Sequence, residues 1–219
     1  MPKVIFKLDY KKDARNYWQA VNSQSHGKSW QNSIPLKIQK EINGKSWEES
    51  KSFLYDYLNE FYKKHNKKLK LILKQFSEIW RIIEKEYFKR LIKITKRKIY
   101  SNQFTAYLTT IDRCPYDTKE NWFMVNLFSG GLRMCQTAGH ELMHLQFHYY
   151  FEKDLIIKIG REKFGDLKEA LTILLNEEFR DLWIVEDKGY EIHQELRKRI
   201  SEQWKKNKDF DELIRLIAR

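Results

Sequence analysis

Apolar positions along this chain change rhythm twice. Val4 to Leu8 alternates weakly and predicts a short strand, and Lys11 to Asn22 puts Tyr17, Trp18 and Val21 on one side of a helix. Ser23 to Ser33 is polar, contains Gly27, and predicts a loop. Helical spacing then dominates. Ser46 and Glu49 have the spacing of a capping box, and Phe53, Leu54, Tyr57, Leu58 and Phe61 share one stripe, which predicts a helix over 46–64. Leu69, Ile72, Phe76, Ile79, Ile83, Tyr87, Leu91 and Ile94 recur every three or four residues and predict a long amphipathic helix, broken once near Asn66. After Tyr100 the pattern turns to β-branched and aromatic runs. "FTAYLTTI" and "NWFMVNLF", separated by a Cys-Pro-Tyr-Asp turn region, predict two antiparallel strands, the second ended by Ser129–Gly131. Helices follow over 132–151 and 167–185, with one or two more in the tail over 190–218.

These elements predict an α+β fold, mostly helical, with a small antiparallel sheet beside the 132–151 helix and a helical N-terminal half. Residues 1–100 form a basic helical region and 101–219 a second core, either separately or as one continuous domain. The 219 residues are 42% hydrophobic with only 8 Gly and 3 Pro, which excludes wholesale disorder and favours long helices. No stretch reaches the roughly 20 apolar residues of a membrane span, and MPKVIFKLDY lacks the apolar region of a signal peptide. Cys114 and Cys135 make no CxxC pair and are expected to be free thiols in a reducing cytoplasm. The formal charge of +12 is concentrated: Lys63–Lys98 holds 14 Lys or Arg against 3 Glu. Such a face can bind nucleic acid or an anionic membrane surface, or simply be solvated, and no nucleic-acid motif accompanies it.

Three of the six histidines fall in "TAGHELMHLQFHYYF". His140-Glu141-Leu142-Met143-His144 fits HExxH. Residues four apart on a helix stand one above the other, about 6 Å along the axis, so two imidazoles can converge on one zinc ion. Glu141, next in sequence to the first histidine, can reach a zinc-activated water as general base without ligating the metal. Gly139 puts a small residue just ahead of the motif.

The strand "NWFMVNLF" followed by the HELMH helix resembles the zincin metallopeptidases over roughly 104–185; the first hundred residues carry no such resemblance. It implies a zinc cofactor, an edge strand that holds an extended peptide beside the motif helix, and hydrolysis of peptide or protein substrates. The metzincin pattern HExxHxxGxxH is not met, because Phe147 stands at the glycine place and Tyr150 at the last histidine place. His148, about 12 Å along a straight helix from His140, is too far to share the ion and is expected at the surface or supporting a ligand. The gluzincin solution, a glutamate from a later helix, directs attention to "LKEALTILLNEEFRDLW". At 100° per residue Glu178 falls in the middle of the stripe of Leu167, Leu171, Leu174 and Leu182, and a buried carboxylate wants a cation. Asp181 lies near the same face and can accept a hydrogen bond from a ligating imidazole. Asn176-Glu177 with Asp181 reproduces the NExxxD string of thermolysin-like enzymes, which makes Glu177 the alternative ligand. A donor for the developing oxyanion is expected among His193, Tyr190, Tyr150 and Arg180, with His193 favoured. Two further readings stand beside the peptidase: a catalytically silent zincin-like module, and a basic nucleic-acid-binding protein with a coincidental HExxH.

Overall fold

The computed structural model describes residues 1–23 and 29–218. The architecture is α+β and mostly helical, with a small four-stranded mixed sheet. Strand β1 (Lys3–Leu8) leads into helix α1 (Tyr10–Asn22), started by Asp9, whose side chain accepts from the amides of Lys11 and Lys12. Of the loop expected over 23–33, residues 24–28 lie outside the described residues; its end is a short 3-10 turn, Gln31–Ser33. Helix α2 (Leu36–Ile42), which the apolar pattern does not announce, precedes α3 (Trp47–Lys64). The Ser46–Glu49 capping box is present at the start of α3, with both reciprocal bonds made. The expected interruption near Asn66 is a single residue: His65 separates α3 from α4 (Asn66–Thr95).

Strand β2 (Gln103–Thr109) occupies the middle of the sheet, whose order is β1-β2-β4-β3. The antiparallel pairing expected between the two main strands is corrected. β2 and β4 (Trp122–Asn126) run parallel, Thr105 opposite Trp122. The reason lies in the segment taken for a turn, which contains a two-residue strand, β3 (Tyr116–Asp117), antiparallel to the outer side of β4. The Asp117 side chain accepts from the amides of Lys119 and Glu120, and Asn121 adopts φ 55, which closes the hairpin. The chain therefore reverses on β3 and enters β4 in the direction of β2. β3 is an edge strand.

Helix α5 (Gly131–Ile159) is two turns longer than expected, because Leu155, Ile156 and Ile159 continue the apolar spacing until Gly160 at φ 83. The expected 167–185 helix is three helices: α6 (Arg161–Leu171), α7 (Ile173–Glu178) and α8 (Arg180–Trp183). At the first break the Thr172 hydroxyl donates back to the Glu169 carbonyl at 2.7 Å and accepts from Arg197, so its side chain competes with continued helix. The tail forms α9 (Gln194–Asn207) and α10 (Phe210–Ile217).

One apolar cluster runs from Phe6 through the α4 residues Phe76, Trp80, Tyr87 and Leu91 to β2, β4, α5, α6 and α10. It holds residues from both sides of residue 100. A second cluster joins α1, α2 and α3 with Ile111. The basic charge of α4 and of the two residues after it is partly answered within the chain: Arg90 on the helix pairs with Asp181, and beyond its end Lys96 pairs with Asp209 and Arg97 with Asp211. Both cysteines are free. Among the described residues, no helix is long and apolar enough to cross a membrane.

Candidate metal centre

Helix α5 carries His140, Glu141 and His144 against the core, and close backbone packing sets its position. A Cβ on Gly139 would meet Trp183 at 2.7 and 2.9 Å and Tyr87 at 3.1 Å. Only a glycine lets the indole lie this near, and the Tyr87 hydroxyl donates to the Gly139 carbonyl at 2.6 Å. The backbone one residue before His140 is thereby held by α4 and α8.

One helical turn puts the His140 and His144 rings edge to face, 4.3 Å between centroids. The third member of the group is Glu169, from the C-terminal end of α6. Its Oε2 lies 3.3 Å from His144 Nε2 and 3.7 Å from His140 Nε2. Donors about 2.0–2.2 Å from a tetrahedral ion stand about 3.3–3.6 Å apart, so these separations suit a common divalent ion. The three ligand atoms all lie within 4.8 Å of one another, and among the described residues this is the group that can hold a metal.

The donor chemistry supports the same fit. His144 is 2% exposed, and neither ring nitrogen has a hydrogen-bond partner; Glu141 Oε2 is likewise buried without one. Such groups are costly to enclose unless something else satisfies them. His140 Nδ1 lies 2.7 Å from Asp187 Oδ2. A carboxylate only accepts, so Nδ1 carries a hydrogen and Nε2 is the nitrogen turned toward Glu169. Asp187 is in turn held by Gln136 at 2.7 Å and by Arg197 at 3.1 Å. Glu169 divides its oxygens, with Oε1 ion-paired to Lys168 and Oε2 turned to the imidazoles.

Burial pushes the Glu141 carboxyl up to about 8, countered by the His140 charge. Burial pulls His144 down to about 3, which keeps the ring neutral and able to donate a lone pair. For His140 burial also pulls down, but the charge and hydrogen bond of Asp187 outweigh it and hold the ring well above the usual histidine range. Burial opposes ionisation of Glu169, yet His144, His140 and Lys168 prevail, and its carboxyl lies well below the ordinary carboxylate value.

A cleft of about 490 Å³ opens over these groups, and Arg113–Tyr116 and Asp187–Tyr190 are among the residues that line it. Tyr116 of β3 tilts over His144, 5.5 Å between centroids, and its hydroxyl lies 2.7 Å from His148 Nε2. His148 thus stands outside the group and braces the edge strand.

Glu178 is not beside the histidines. Its Oε1 accepts from Trp204 and Lys208, both at 2.8 Å. Glu177 accepts from Ser201 and pairs with Lys205. The helical phase that favours Glu178 does not carry across Thr172, where the helix breaks. Asp181 is engaged by Arg90, at 2.6 and 2.9 Å, and the carboxylate on the imidazole is Asp187. His193 is buried with Nε2 3.0 Å from Asp166 and does not line the cleft. Tyr150 donates to the Lys98 carbonyl and Arg180 is exposed, whereas Tyr190 lines the cleft. A signal for Glu169 was present: Lys168 and Glu169 are the only charges in the mostly apolar "LKEALTILL". Asp187 lies in a loop and had no comparable mark.

Compared with family models, curated proteins and solved structures, the chain matches none.

Proposed function

We propose that the chain is a zinc-dependent metallopeptidase with a zincin-like arrangement of motif helix and edge strand, acting on peptide or protein substrates. The observation that carries this reading is the convergence of His140, His144 and Glu169 beside the buried, unpartnered Glu141 Oε2. These three residues would hold the ion. A bound zinc ion supplies Lewis acidity toward a carbonyl and lowers the pKa of water to about 7. Glu141 takes a proton from the attacking water on Oε2 and returns it to the leaving amine. Glu141, whose carboxyl burial raises, would be favoured in its basic form with a divalent ion held by the three ligands. Asp187 keeps His140 in one tautomer, and Lys168 keeps Glu169 from turning. The antiparallel edge strand β3, beside α5 and lining the cleft through Tyr116, supports seating of an extended peptide along it.

The test is elemental analysis together with a peptide-library cleavage assay. Wild type should carry near-stoichiometric zinc, and His140→Ala, His144→Ala or Glu169→Gln should lose it. Glu177→Gln and Glu178→Gln should keep it. Glu141→Gln should keep zinc and lose turnover by about 100-fold or more. Zinc retained in Glu169→Gln and lost in Glu178→Gln would reverse the ligand assignment. Cleavage by Glu141→Gln equal to wild type would end the peptidase reading.

A further inference from the structure

Among the described residues, the guanidinium of Arg113 lacks the ion pair that several arginines of this protein make. Arg197 is neutralised by Asp187, Arg90 by Asp181 and Glu86, and Arg97 by Asp211. Arg113 lines the cleft beside His140, Glu141 and Glu169, and among the described residues no carboxylate pairs with it. Its side-chain partners are two neutral amides one turn apart on α1. Nη1 donates to Asn16 Oδ1 at 2.7 Å and to Gln19 Oε1 at 3.0 Å.

That support is rigid. Asn16 is 1% exposed, and its Nδ2 donates to Thr109 Oγ1 at 2.9 Å and to the Arg113 carbonyl at 2.8 Å. With both donors engaged, Oδ1 must face the guanidinium, so the amide cannot flip. Neutral oxygens fix the plane of the fork without discharging it. Nε and Nη2 meet no protein acceptor among the described residues, nor are they sealed in. The Nε–Nη2 edge is one on which a carboxylate docks with two parallel hydrogen bonds.

We propose that Arg113 is a carboxylate receptor within the cleft, so that its substrates are peptides bearing an anionic group, either a C-terminal carboxylate or an acidic side chain. This rests on the peptidase reading of the same site, and it predicts a preference rather than the reaction itself. Fixing the guanidinium before substrate arrives reduces the ordering cost of binding.

The experiment compares two pairs of N-acetylated peptides: one with a free or amidated C-terminus, the other amidated with an internal Glu or Gln. Binding is measured by calorimetry on zinc-loaded Glu141→Gln protein, and kcat/KM on wild type. The carboxylate member of one pair should bind about tenfold or more tightly, and the responding pair identifies the source of the anion. In the Arg113→Met background the ratio within that pair should fall to about one. Arg113→Lys, which keeps the charge without the fork, should leave an intermediate ratio and serves where the Met variant fails to fold. Equal binding within both pairs, or a preference that survives Arg113→Met, would overturn the inference. Selective binding with no cleavage of any peptide would leave it standing and remove the peptidase reading instead.

Discussion

His140 offers one nitrogen to the candidate ion site because Asp187 holds the other. Replacing one of the two Asp187 acceptor oxygens with an NH2 group of the same shape sets a donor against either His140 and Gln136 or Arg197, and lets the ring change tautomer and swing. Asp187→Asn should therefore weaken zinc affinity by about 10-fold to 100-fold, measured by competition with a chromophoric chelator, with the helical content by circular dichroism unchanged. An affinity equal to wild type would show that the surrounding packing orients the ring unaided. At this scale the sequence was legible where chemistry is local. HExxH places two imidazoles and a carboxylate on one turn whatever surrounds it. Glu169 was less legible, because α6 is buried on all sides near its end, from Leu167 to Leu171, and a periodic stripe has no meaning there. Asp187 reaches His140 from a loop, and no spacing rule foretells which loop carboxylate folds back.

The motif helix depends on Gly139 as much as on its histidines. A methyl group there would collide with the Trp183 ring, whose neighbours Phe179 and Tyr87 leave it little freedom to retreat. Gly139→Ala should cost about 1–3 kcal/mol in urea unfolding and, by shifting α5, weaken zinc binding as well. A stability gain, as expected for alanine in an unhindered helix, would show that the ring yields. Elements with unbroken periodicity, such as α3, α4 and the first two-thirds of α5, were readable from apolar spacing. The failures share a cause. Thr172 breaks a run that looks continuous, because its hydroxyl satisfies backbone and Arg197 together, a tertiary contact invisible in a window of residues. β3 is only two residues long, and so short a strand leaves no alternation to detect.

At the scale of the whole molecule, Asp13 ties the two apolar clusters together. It sits on α1, in the smaller cluster, and accepts from the Thr109 and Thr110 hydroxyls at the end of β2, from the Thr110 amide, and from Tyr62. Burial raises its carboxyl from the usual carboxylate range to about 6, although these bonds counter the shift. Tyr17 and Tyr62, which face it, are pushed upward and stay neutral. Between about pH 4 and 6 the folded state binds the proton more tightly than the unfolded chain does, so stability falls as pH rises through that window. The Asp13 contribution should amount to about 3 kcal/mol, read as the difference in urea unfolding between wild type and Asp13→Asn across pH 4 to 7. A difference that does not change with pH would place the ionisation elsewhere. The basic charge at the C-terminal end of α4 and just beyond it gains a second meaning at this scale, since Arg90, Lys96 and Arg97 fasten acidic residues that follow the motif helix in the chain.

The loop carboxylate on His140 is itself anchored by Arg197, on the penultimate helix. During synthesis, HELMH leaves the ribosome more than fifty residues before that anchor. The nascent chain has two imidazoles free to turn and a glutamate without its frame. An ion held by this group would therefore be captured late in maturation, after folding rather than as its seed.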